Sequence, residues 1–239
     1  MKEVTPYNSV ASKKEQVEEM FDNIAERYDL LNHVLSMKID VLWRNKLVKW
    51  MNEDAPKLVL DVATGTGDLA IAVEKGTKAK VVGLDLSQQM LNVGIIKIKK
   101  LKLDGRISMQ KGDAEDLQFE DDHFDAVSVS FGVRNFGNLE KGLSELLRVV
   151  KKDKSVFILE FSKVEGAFGS FYMFYFKNIL PRIGSLISKD NRAYTYLPDS
   201  VNAFPYGDKM KTILEKTGFK KVEYKKLSFG IATIYKATK

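Results

Sequence analysis

The chain has 239 residues, 44% of them hydrophobic and 29% charged, a composition that suits one globular α/β domain with an appendage. The absence of cysteine excludes disulfide bonds and thiolate metal sites, and with only two histidines no metal is expected. The net charge of +6 suits an anionic membrane surface, but no nucleic-acid-binding motif accompanies it, so no nucleic-acid partner is expected.

The first fifty residues are predicted to be helical after a loose arm over residues 1–11. Ser12, with Glu15 three positions later, fits a capping box, which marks the start of a helix. A further helix is predicted over residues 42–51. The apolar residues of the first helix recur at helical spacing: Val17, Met20, Phe21, Ile24 and Ala25.

The segment Tyr28–Trp43 carries more polar and aromatic residues than a covering helix needs. One interpretation is a helical hairpin packed on the core, with Asn32 and Ser36 as caps. The other is a segment that belongs to a functional site. The residue pattern alone favours neither.

A buried strand followed by a glycine turn organises the rest of the chain. Leu58–Val62 is an apolar run with the composition of a parallel strand. Gly65 and Gly67 allow a sharp turn and a close approach of the backbone to a ligand, because neither carries a Cβ. Asp68 then opens a helix, whose first turn offers free N–H groups and a positive dipole end. This arrangement is typical of a site for a nucleotide-like ligand.

Short apolar strands and amphipathic helices alternate from this point to about residue 160. This alternation predicts a parallel, doubly wound sheet. The predicted helices cover residues 68–75, 88–102 and 138–150, and the predicted strands cover 79–84, 107–110, 124–130 and 155–160.

The pattern changes after residue 160. The stretch 168–187 is rich in aromatic residues, and both a core-facing helix pair and an apolar lid over a substrate are consistent with it. A loop is predicted over 194–205, and a helix over 208–217 that ends at Gly218. Two strands, 222–227 and 230–237, are predicted to form a hairpin that closes the sheet.

The glycine turn formally fits the dinucleotide pattern G-x-G-x-x-G/A, which is a weak signal on its own. Three acidic residues favour S-adenosylmethionine (SAM) instead. Asp61 lies in the strand end, where an acid suits a cationic amino-acid ligand. Asp85 ends the next strand and is placed for ribose hydroxyls, although dinucleotide proteins share this feature. Asp113, after the third strand, can accept a hydrogen bond from an adenine amino group. For each acid, the alternative is a helix cap or a solvated loop.

Asp61, Gly65, Gly67, Asp85 and Asp113, in this order, resemble the class I SAM-dependent methyltransferases. The predicted antiparallel last strand is also typical of that fold and not of a dehydrogenase. The resemblance implies an α/β, Rossmann-like, seven-stranded sheet, with N-terminal helices and a helical insertion as substrate cover. The expected division is a cover over 1–50, a SAM-binding core over 51–162, an insertion over 163–206, and a closing helix and hairpin over 207–239.

A more specific resemblance begins at Tyr28. The pattern Y-D-x-x-N-x-x-L-S, with Trp43 at a fixed spacing, resembles the first signature of the quinone-biosynthesis C-methyltransferases, the UbiE/COQ5/MenG family. Segments 130–136, 148–162 and 194–205 resemble further motifs of that family. The resemblance runs from about residue 14 to the end of the chain.

The chain departs from this family at two places. Asp40 stands where the first signature usually has histidine, so a catalytic role for this position is not expected. Lys152-Asp153-Lys154 stands where the second signature has Pro-Gly-Gly, and we expect a turn before a strand there.

The resemblance implies methyl transfer from SAM to a ring carbon of a reduced demethylquinone. This reaction needs alignment of the reacting atoms, a route for a hydroxyl proton and an apolar wall. Arg134 is the first candidate for stabilising a phenolate, since a cation lowers the hydroxyl pKa; the alternative is a structural arginine paired with an acid. Tyr28 is the second candidate, and His33 is interpreted as a surface residue. The cofactor residues that the family implies are Thr66, Asp85, Asp113, Ala114 and Ser130.

The implied function is the conversion of demethylmenaquinol to menaquinol in menaquinone biosynthesis. Three alternatives stay open: methylation of a benzoquinol in ubiquinone biosynthesis, methylation of another small aromatic or lipid, and SAM binding without turnover in a quinone-synthesis complex. No apolar segment of about 18 residues is present. A cytoplasmic location is therefore expected, with peripheral contact at the inner, anionic membrane face, where a prenylated substrate lies. A homodimer is one open expectation.

Overall fold

Seven strands form one sheet in the order β3-β2-β1-β4-β5-β7-β6 in the computed structural model, which describes residues 4–7, 9–36, 38–164 and 192–239. The first five strands are parallel, and β7 runs antiparallel between β5 and β6, which confirms the predicted sheet and its closing hairpin. The strands are β1 (Leu58–Val62), β2 (Lys80–Asp85), β3 (Ile107–Lys111), β4 (Phe124–Ser130), β5 (Val150–Phe161), β6 (Lys221–Leu227) and β7 (Ala232–Thr238).

The described helices begin and end at recognisable caps. The Ser12–Glu15 capping box is present as predicted, and Ser87 and Asn138 each accept a hydrogen bond from the first turn of their helix. The helices are α1 (Lys13–Ile24), α2 (Tyr28–Leu35), α3 (Ile39–Asn52), α4 (Asp68–Thr77), α5 (Gln88–Lys100), α6 (Leu139–Val149), α7 (Arg192–Ala203) and α8 (Asp208–Thr217).

Helices cover both faces of the sheet, so its central strands are mostly apolar. On one face α6 and α8 pack against alternate residues of β1, β4 and β5. On the other face α3 and α4 pack against the intervening residues of the same sheet. Burial on both faces explains why β1 reads as a continuous apolar run and not as an alternating one.

The chain order reverses between β1 and β4, which are neighbours in the sheet. The loops that follow these strands diverge to opposite faces and leave a crevice at their carboxyl ends. In open α/β sheets this crevice is the place where ligands bind.

The N-terminal segment lies over this end of the sheet. A small apolar cluster joins α1 to α5 and α7, and it includes Val17, Met20, Met90 and Tyr196. In contrast, α3 belongs to the main core, since Trp43, Leu47 and Met51 are buried against the sheet. The division of the chain into four parts stays a prediction.

The prediction of a loop over residues 194–205 is wrong. Residues Arg192–Ala203 form α7, with Pro198 inside the helix. Tyr196, Val201 and Phe204 at and near this helix are buried. Burial of one face therefore outweighs the helix-disfavouring effect of the proline.

The strand predicted over 155–160 is longer in the structure, because α6 passes directly into β5 at Val150. Pairing with β4 jumps from Phe124–Val150 to Ala126–Ser155, which marks an irregularity. Asp153 lies there with a φ of 61°, a left-handed conformation that aspartate adopts more readily than most residues. The segment that replaces Pro-Gly-Gly is thus a bulge inside a strand and not a turn before one.

None of the described helices is long and apolar enough to cross a membrane. The aromatic stretch 168–187 lies outside the described residues, so both interpretations of it stay predictions.

Gly218 ends α8 with a φ of 117°, and a Cβ there would lie 3.1 Å from Leu147 Cδ2. We expect Gly218→Ala to lower the free energy of unfolding by about 1–2 kcal/mol, because a side chain disfavours this backbone conformation. Gly105→Ala is the matched control, since a Cβ at that position meets nothing within 4 Å. Urea denaturation of both variants checks the expectation, and equal stabilities would contradict it.

Candidate functional site

A narrow cleft of about 70 Å³ lies at the carboxyl ends of β1, β2, β3 and β4, under α1. It is lined by the loops that follow these four strands and by one face of α1. Its polar lining residues include Lys14, Glu18, Tyr28, Asp85, Ser87, Asp113, Glu115, Ser130 and Asn135, and its apolar ones include Val17, Phe21, Leu86, Met90 and Phe136.

The glycine turn after β1 is held from below by Asp61. This carboxylate is 1% exposed and accepts hydrogen bonds from Thr64 Oγ1 (2.6 Å) and Ser128 Oγ (2.7 Å). Gly65 and Gly67 have φ of 57° and 81°, which glycine adopts without strain. Asp61 therefore shapes the turn and is not itself part of the cleft lining.

Asp85 at the end of β2 joins two loops of the cleft. Its Oδ2 accepts from Gly65 N (2.7 Å) and its Oδ1 from Ser87 N (2.9 Å). Burial raises the pKa of Asp85 to about 6, although these backbone hydrogen bonds oppose the rise. Each oxygen retains a lone pair, so the carboxylate can accept hydroxyl groups of a ligand.

Asp113, in the loop after β3, meets α1 across the cleft. Lys14 Nζ lies 2.5 Å from Asp113 Oδ2 and 3.4 Å from Glu115 Oε2. Glu115 in turn accepts backbone hydrogen bonds from Gly137 (2.7 Å) and Asn138. Ala114, between the two acids, lies in the lining and is 7% exposed. The adenine side of the predicted site is thus tied to the first helix.

The end of β4 carries two buried polar atoms without a partner among the described residues, Ser130 Oγ and Arg134 Nε. Arg134 Nη1 donates to Glu160 Oε1 (2.8 Å) and to the Phe131 carbonyl, and its side chain is 8% exposed. Buried polar groups are normally satisfied. Orphaned donors and acceptors beside a cleft therefore indicate places for ligand atoms.

Tyr28 closes the cleft from the side of α2. Its ring packs edge-on against Phe21, with centroids 5.9 Å apart. Burial raises the pKa of Tyr28, an effect that a hydrogen bond with Asn32 partly offsets. The phenol thus stays protonated near neutral pH and can donate a hydrogen bond.

Thr66 faces away from the cleft into a charged network. Its Oγ1 donates to Asp29 Oδ1 (2.5 Å), and Lys97 Nζ reaches Asp29 Oδ2 (2.6 Å) and Asp68 Oδ1 (2.7 Å). Arg44 continues the network with bonds to Asp68 Oδ2 (3.2 Å) and to Asp40.

Asp40, where the first signature usually has histidine, is 4% exposed. Ser36 Oγ donates to its Oδ1 (2.5 Å) and Arg44 Nη1 to its Oδ2 (2.6 Å). His33 lies between Asp40 and Asp68, with nitrogen–oxygen distances of 3.3 and 3.7 Å. The Nδ1 atom of His33 is buried without a hydrogen-bond partner among the described residues, so His33 is half-buried beside two acids and is not a free surface residue.

The cleft brings together six of the ten predicted site residues. Direct contact of the other four with a ligand stays a prediction, since they lie beside or behind the lining. The six are Tyr28, Gly65, Asp85, Asp113, Ala114 and Ser130, and the four are Asp61, Thr66, Gly67 and Arg134. Sequence reasoning missed Lys14, Glu115 and Asn135; of these, only Asn135 had a signal, because it lies in the quoted 130–136 motif.

The fold of this chain is similar to that of solved methyltransferase structures. A SAM-dependent methyltransferase from Thermotoga maritima, described as a possible histamine N-methyltransferase, superimposes with a TM-score of 0.65 at 17% identity, over 92% of this chain and 99% of that one. The sheet order and the antiparallel last strand are those of the class I SAM-dependent methyltransferase fold.

The sequence comparison then gives the family. The model of the ubiE/COQ5 methyltransferase family matches residues 9–239. A demethylmenaquinone methyltransferase from Bacteroides fragilis is 45% identical over 238 residues, which is 99% of this chain and 97% of that protein. A ubiquinone/menaquinone biosynthesis C-methyltransferase, UbiE, from Citrifermentans bemidjiense is 44% identical over 97% of this chain and 99% of that protein. The chain belongs to the ubiE/COQ5 methyltransferase family.

The cofactor of this enzyme is SAM, and the cleft residues fit it. Asp85 offers carboxylate oxygens to hydroxyl groups, Gly65 exposes backbone to the cleft, and the Ser130 hydroxyl has no partner among the described residues. Which of the lining residues contact it is a prediction.

The raised pKa of Asp85 gives a pH prediction. A ribose hydroxyl binds the ionised carboxylate better, so SAM affinity should fall as the pH drops through 6, by up to about tenfold per pH unit. Asp85→Asn should bind SAM more weakly and lose this dependence. Calorimetry between about pH 5 and 8 measures both effects.

Asp61 provides the matched control, because burial raises its pKa to about 6 as well, yet it lies outside the cleft lining. Asp61→Asn should keep the pH dependence of SAM binding. If Asp61→Asn removes the dependence and Asp85→Asn does not, the ribose assignment is wrong.

Proposed function

We propose that this enzyme transfers the methyl group of SAM to a ring carbon of demethylmenaquinol and so forms menaquinol. The observation that carries the proposal is similarity at 45% identity, over nearly the full length, to a protein named demethylmenaquinone methyltransferase. The site supports it with a buried cation, Arg134, and with the Ser130 hydroxyl, which has no partner among the described residues, both at the end of β4.

SAM supplies an electrophilic methyl group on a sulfonium. The chain must therefore make a ring carbon nucleophilic, and a quinol ring becomes so when one hydroxyl loses its proton. A guanidinium beside that hydroxyl lowers its pKa and stabilises the phenolate. Arg134 suits this role, because Nη1 is taken by Glu160 and Phe131 while Nε has no partner among the described residues. The alternative, an arginine that only pairs with Glu160, predicts a loss of stability instead.

Tyr28 supports the same step from the opposite wall. Since burial keeps its phenol protonated, Tyr28 acts in this proposal as a donor to a substrate oxygen and not as the base. Its ring, with Phe21, adds apolar surface that excludes water from the cleft.

A second candidate is methylation of a benzoquinol in ubiquinone biosynthesis. It is favoured by the 44% identity to a protein named ubiquinone/menaquinone biosynthesis C-methyltransferase. Purified enzyme with labelled SAM should be offered a short-chain demethylmenaquinol and the corresponding benzoquinol separately. We expect label in the naphthoquinol product. Label only in the benzoquinol would select the second candidate, and SAM binding without label in either would support a partner protein without turnover.

A prenylated quinol lies in a membrane, so the proposal includes peripheral contact with an anionic membrane surface. The net charge of +6 supports this contact, because each basic residue near such a surface contributes about 1 kcal/mol. A cytoplasmic location at the inner membrane face and a homodimer belong to the same proposal. Sedimentation with anionic vesicles at low salt tests the membrane contact, and light scattering tests the homodimer.

Arg134→Lys keeps a positive charge but removes the Nε donor. We expect turnover to fall about a hundredfold with SAM affinity nearly unchanged, because the lost contact acts on the substrate oxygen. Arg148→Lys is the control: Arg148 also pairs with a carboxylate and donates to backbone carbonyls, but it lies beside the start of β4 and not at its carboxyl end, where the cleft lies. If the melting temperature falls by a similar amount in both variants and turnover is retained, the result supports the structural alternative.

The proposed cover includes α1. The cleft has room for roughly five to seven water molecules in its volume of about 70 Å³, and we expect the cover to move when the cofactor enters. Besides Lys14, α1 uses Asp22, which accepts from Ser87 Oγ (2.5 Å), and Glu18, which pairs with Lys111 (2.7 Å). Exposed or partly exposed ion pairs are weak. The contacts therefore suit a cover that opens reversibly.

Hydrogen exchange tests this cover. Without ligand, amides of residues 13–24 should exchange faster than those of β1, and SAM should slow them, because the bound cofactor adds contacts to α1. Lys14→Met should raise the SAM dissociation rate, whereas Lys100→Met, at an exposed position on α5, should leave it unchanged. Equal protection of α1 and β1 in the unliganded protein would contradict the proposal.

A further inference from the structure

One buried side-chain amide, that of Asn135, lies in the cleft wall next to Arg134. Among the described residues of the lining it is the only amide side chain. It ends the short 3₁₀ turn Val133–Asn135 after β4 and is 9% exposed. An amide carries an acceptor at one end and two donors at the other. What Asn135 offers a substrate therefore depends on which end faces the cleft.

Tyr196 of α7 decides this orientation. Its hydroxyl lies 3.0 Å from Asn135 Oδ1, and the ring is 4% exposed in the small apolar cluster under α1. A buried hydroxyl hydrogen needs an acceptor, and Asn135 Oδ1 is the only one shown for Tyr196 among the described residues. The phenol remains a donor, because burial raises its pKa to about 12.

The nitrogen end of the Asn135 amide is available to a ligand. No hydrogen bond joins Asn135 Nδ2 to any described residue, although the backbone N–H of Asn135 donates to the Gly132 carbonyl. With the oxygen held by Tyr196, the nitrogen is left for the cleft. This leaves an N–H donor in the cleft wall, one residue after Arg134 in the chain.

We propose that Tyr196 is a positioning residue that holds Asn135 with its amide nitrogen towards the cleft, as a hydrogen-bond donor to an oxygen of the quinol. The inference rests on the proposed function and deepens it, because it adds a neutral donor in the cleft wall to the cation proposed to stabilise the phenolate. Tyr196 does not line the cleft itself, so it acts through Asn135 and does not touch the reacting atoms.

The test is a double-mutant cycle. Tyr196→Phe removes only the hydroxyl and should lower kcat about tenfold, with SAM affinity unchanged, because the amide is free to rotate. Asn135→Ala should lower kcat further. In the Asn135→Ala background, Tyr196→Phe should have no additional effect on kcat. If the two substitutions lower kcat in the double variant by the product of their single effects, Tyr196 acts independently of Asn135 and the proposal is wrong. An unchanged kcat in the single variant Tyr196→Phe would also overturn it.

Tyr235→Phe is the matched control. Tyr235 is 1% exposed, and its hydroxyl accepts a hydrogen bond from Gly207 N (2.7 Å) outside the cleft lining. This variant should lose stability without losing kcat. If Tyr196→Phe and Tyr235→Phe change only the melting temperature, the hydroxyl of Tyr196 is merely structural.

A spectroscopic measurement separates failure of this inference from failure of the proposed function. The side-chain amide signal of Asn135, identified by its disappearance in Asn135→Ala, should shift in Tyr196→Phe and remain unchanged in Tyr235→Phe. The kinetic cycle can use whichever quinol the wild-type enzyme accepts. A shifted signal without naphthoquinol turnover would leave the orientation intact and refute the substrate. An unshifted signal refutes the orientation with any substrate.

Discussion

The buried carboxylate of Asp61 is the constraint on which the cofactor cleft depends. It ties the hydroxyl of Thr64, in the glycine turn, to that of Ser128 in the neighbouring strand β4. Burial raises its pKa to about 6 from an ordinary value of 3.8. The ionised form therefore destabilises the fold: the stability present below pH 3.8 is lost as the pH rises through 6. What the protein gains is a fixed turn that aims Gly65 N at Asp85, so two loops of the cleft are set by one chain of hydrogen bonds.

Much of this fold could be predicted because its strands are buried on both faces. Continuous apolar runs bounded by acids or glycines located β1, β2 and β4 to within a residue or two. The helix α7 escaped prediction because its sequence contains Pro198, and only its packing against the rest of the protein shows that a buried face stabilises it. The bulge at Asp153 escaped for a related reason: a left-handed φ at a non-glycine residue leaves no periodic signal.

The residue pattern alone located the site where a ligand loop follows a strand directly. Asp85 and Asp113 were found in this way, since parallel strands bring their carboxyl ends together, whereas Tyr28 and Ser130 came from the family resemblance. Lys14 could not be found, because it reaches Asp113 across 99 residues of sequence. Pairing of Arg134 with an acid was one predicted alternative, but the acid itself was not identified, because Glu160 lies on β5 and reads in the sequence as part of an apolar run.

A second set of charged residues, distant from one another in sequence, surrounds Asp40. Asp29, Asp40 and Asp68 bring three negative charges to the N-terminus of α4, and Arg44 and Lys97 supply two positive ones. His33 lies between Asp40 and Asp68, with nitrogen–oxygen distances of 3.3 and 3.7 Å. The first two helices are therefore joined to the sheet by ion pairs and by one small apolar cluster, whereas α3 is anchored in the main core. Contacts of this kind cost little to separate and reform in water. The proposed function uses both features: a rigid cleft below holds the reacting groups, and a weakly attached cover above admits a polar cofactor and excludes water from an apolar ring.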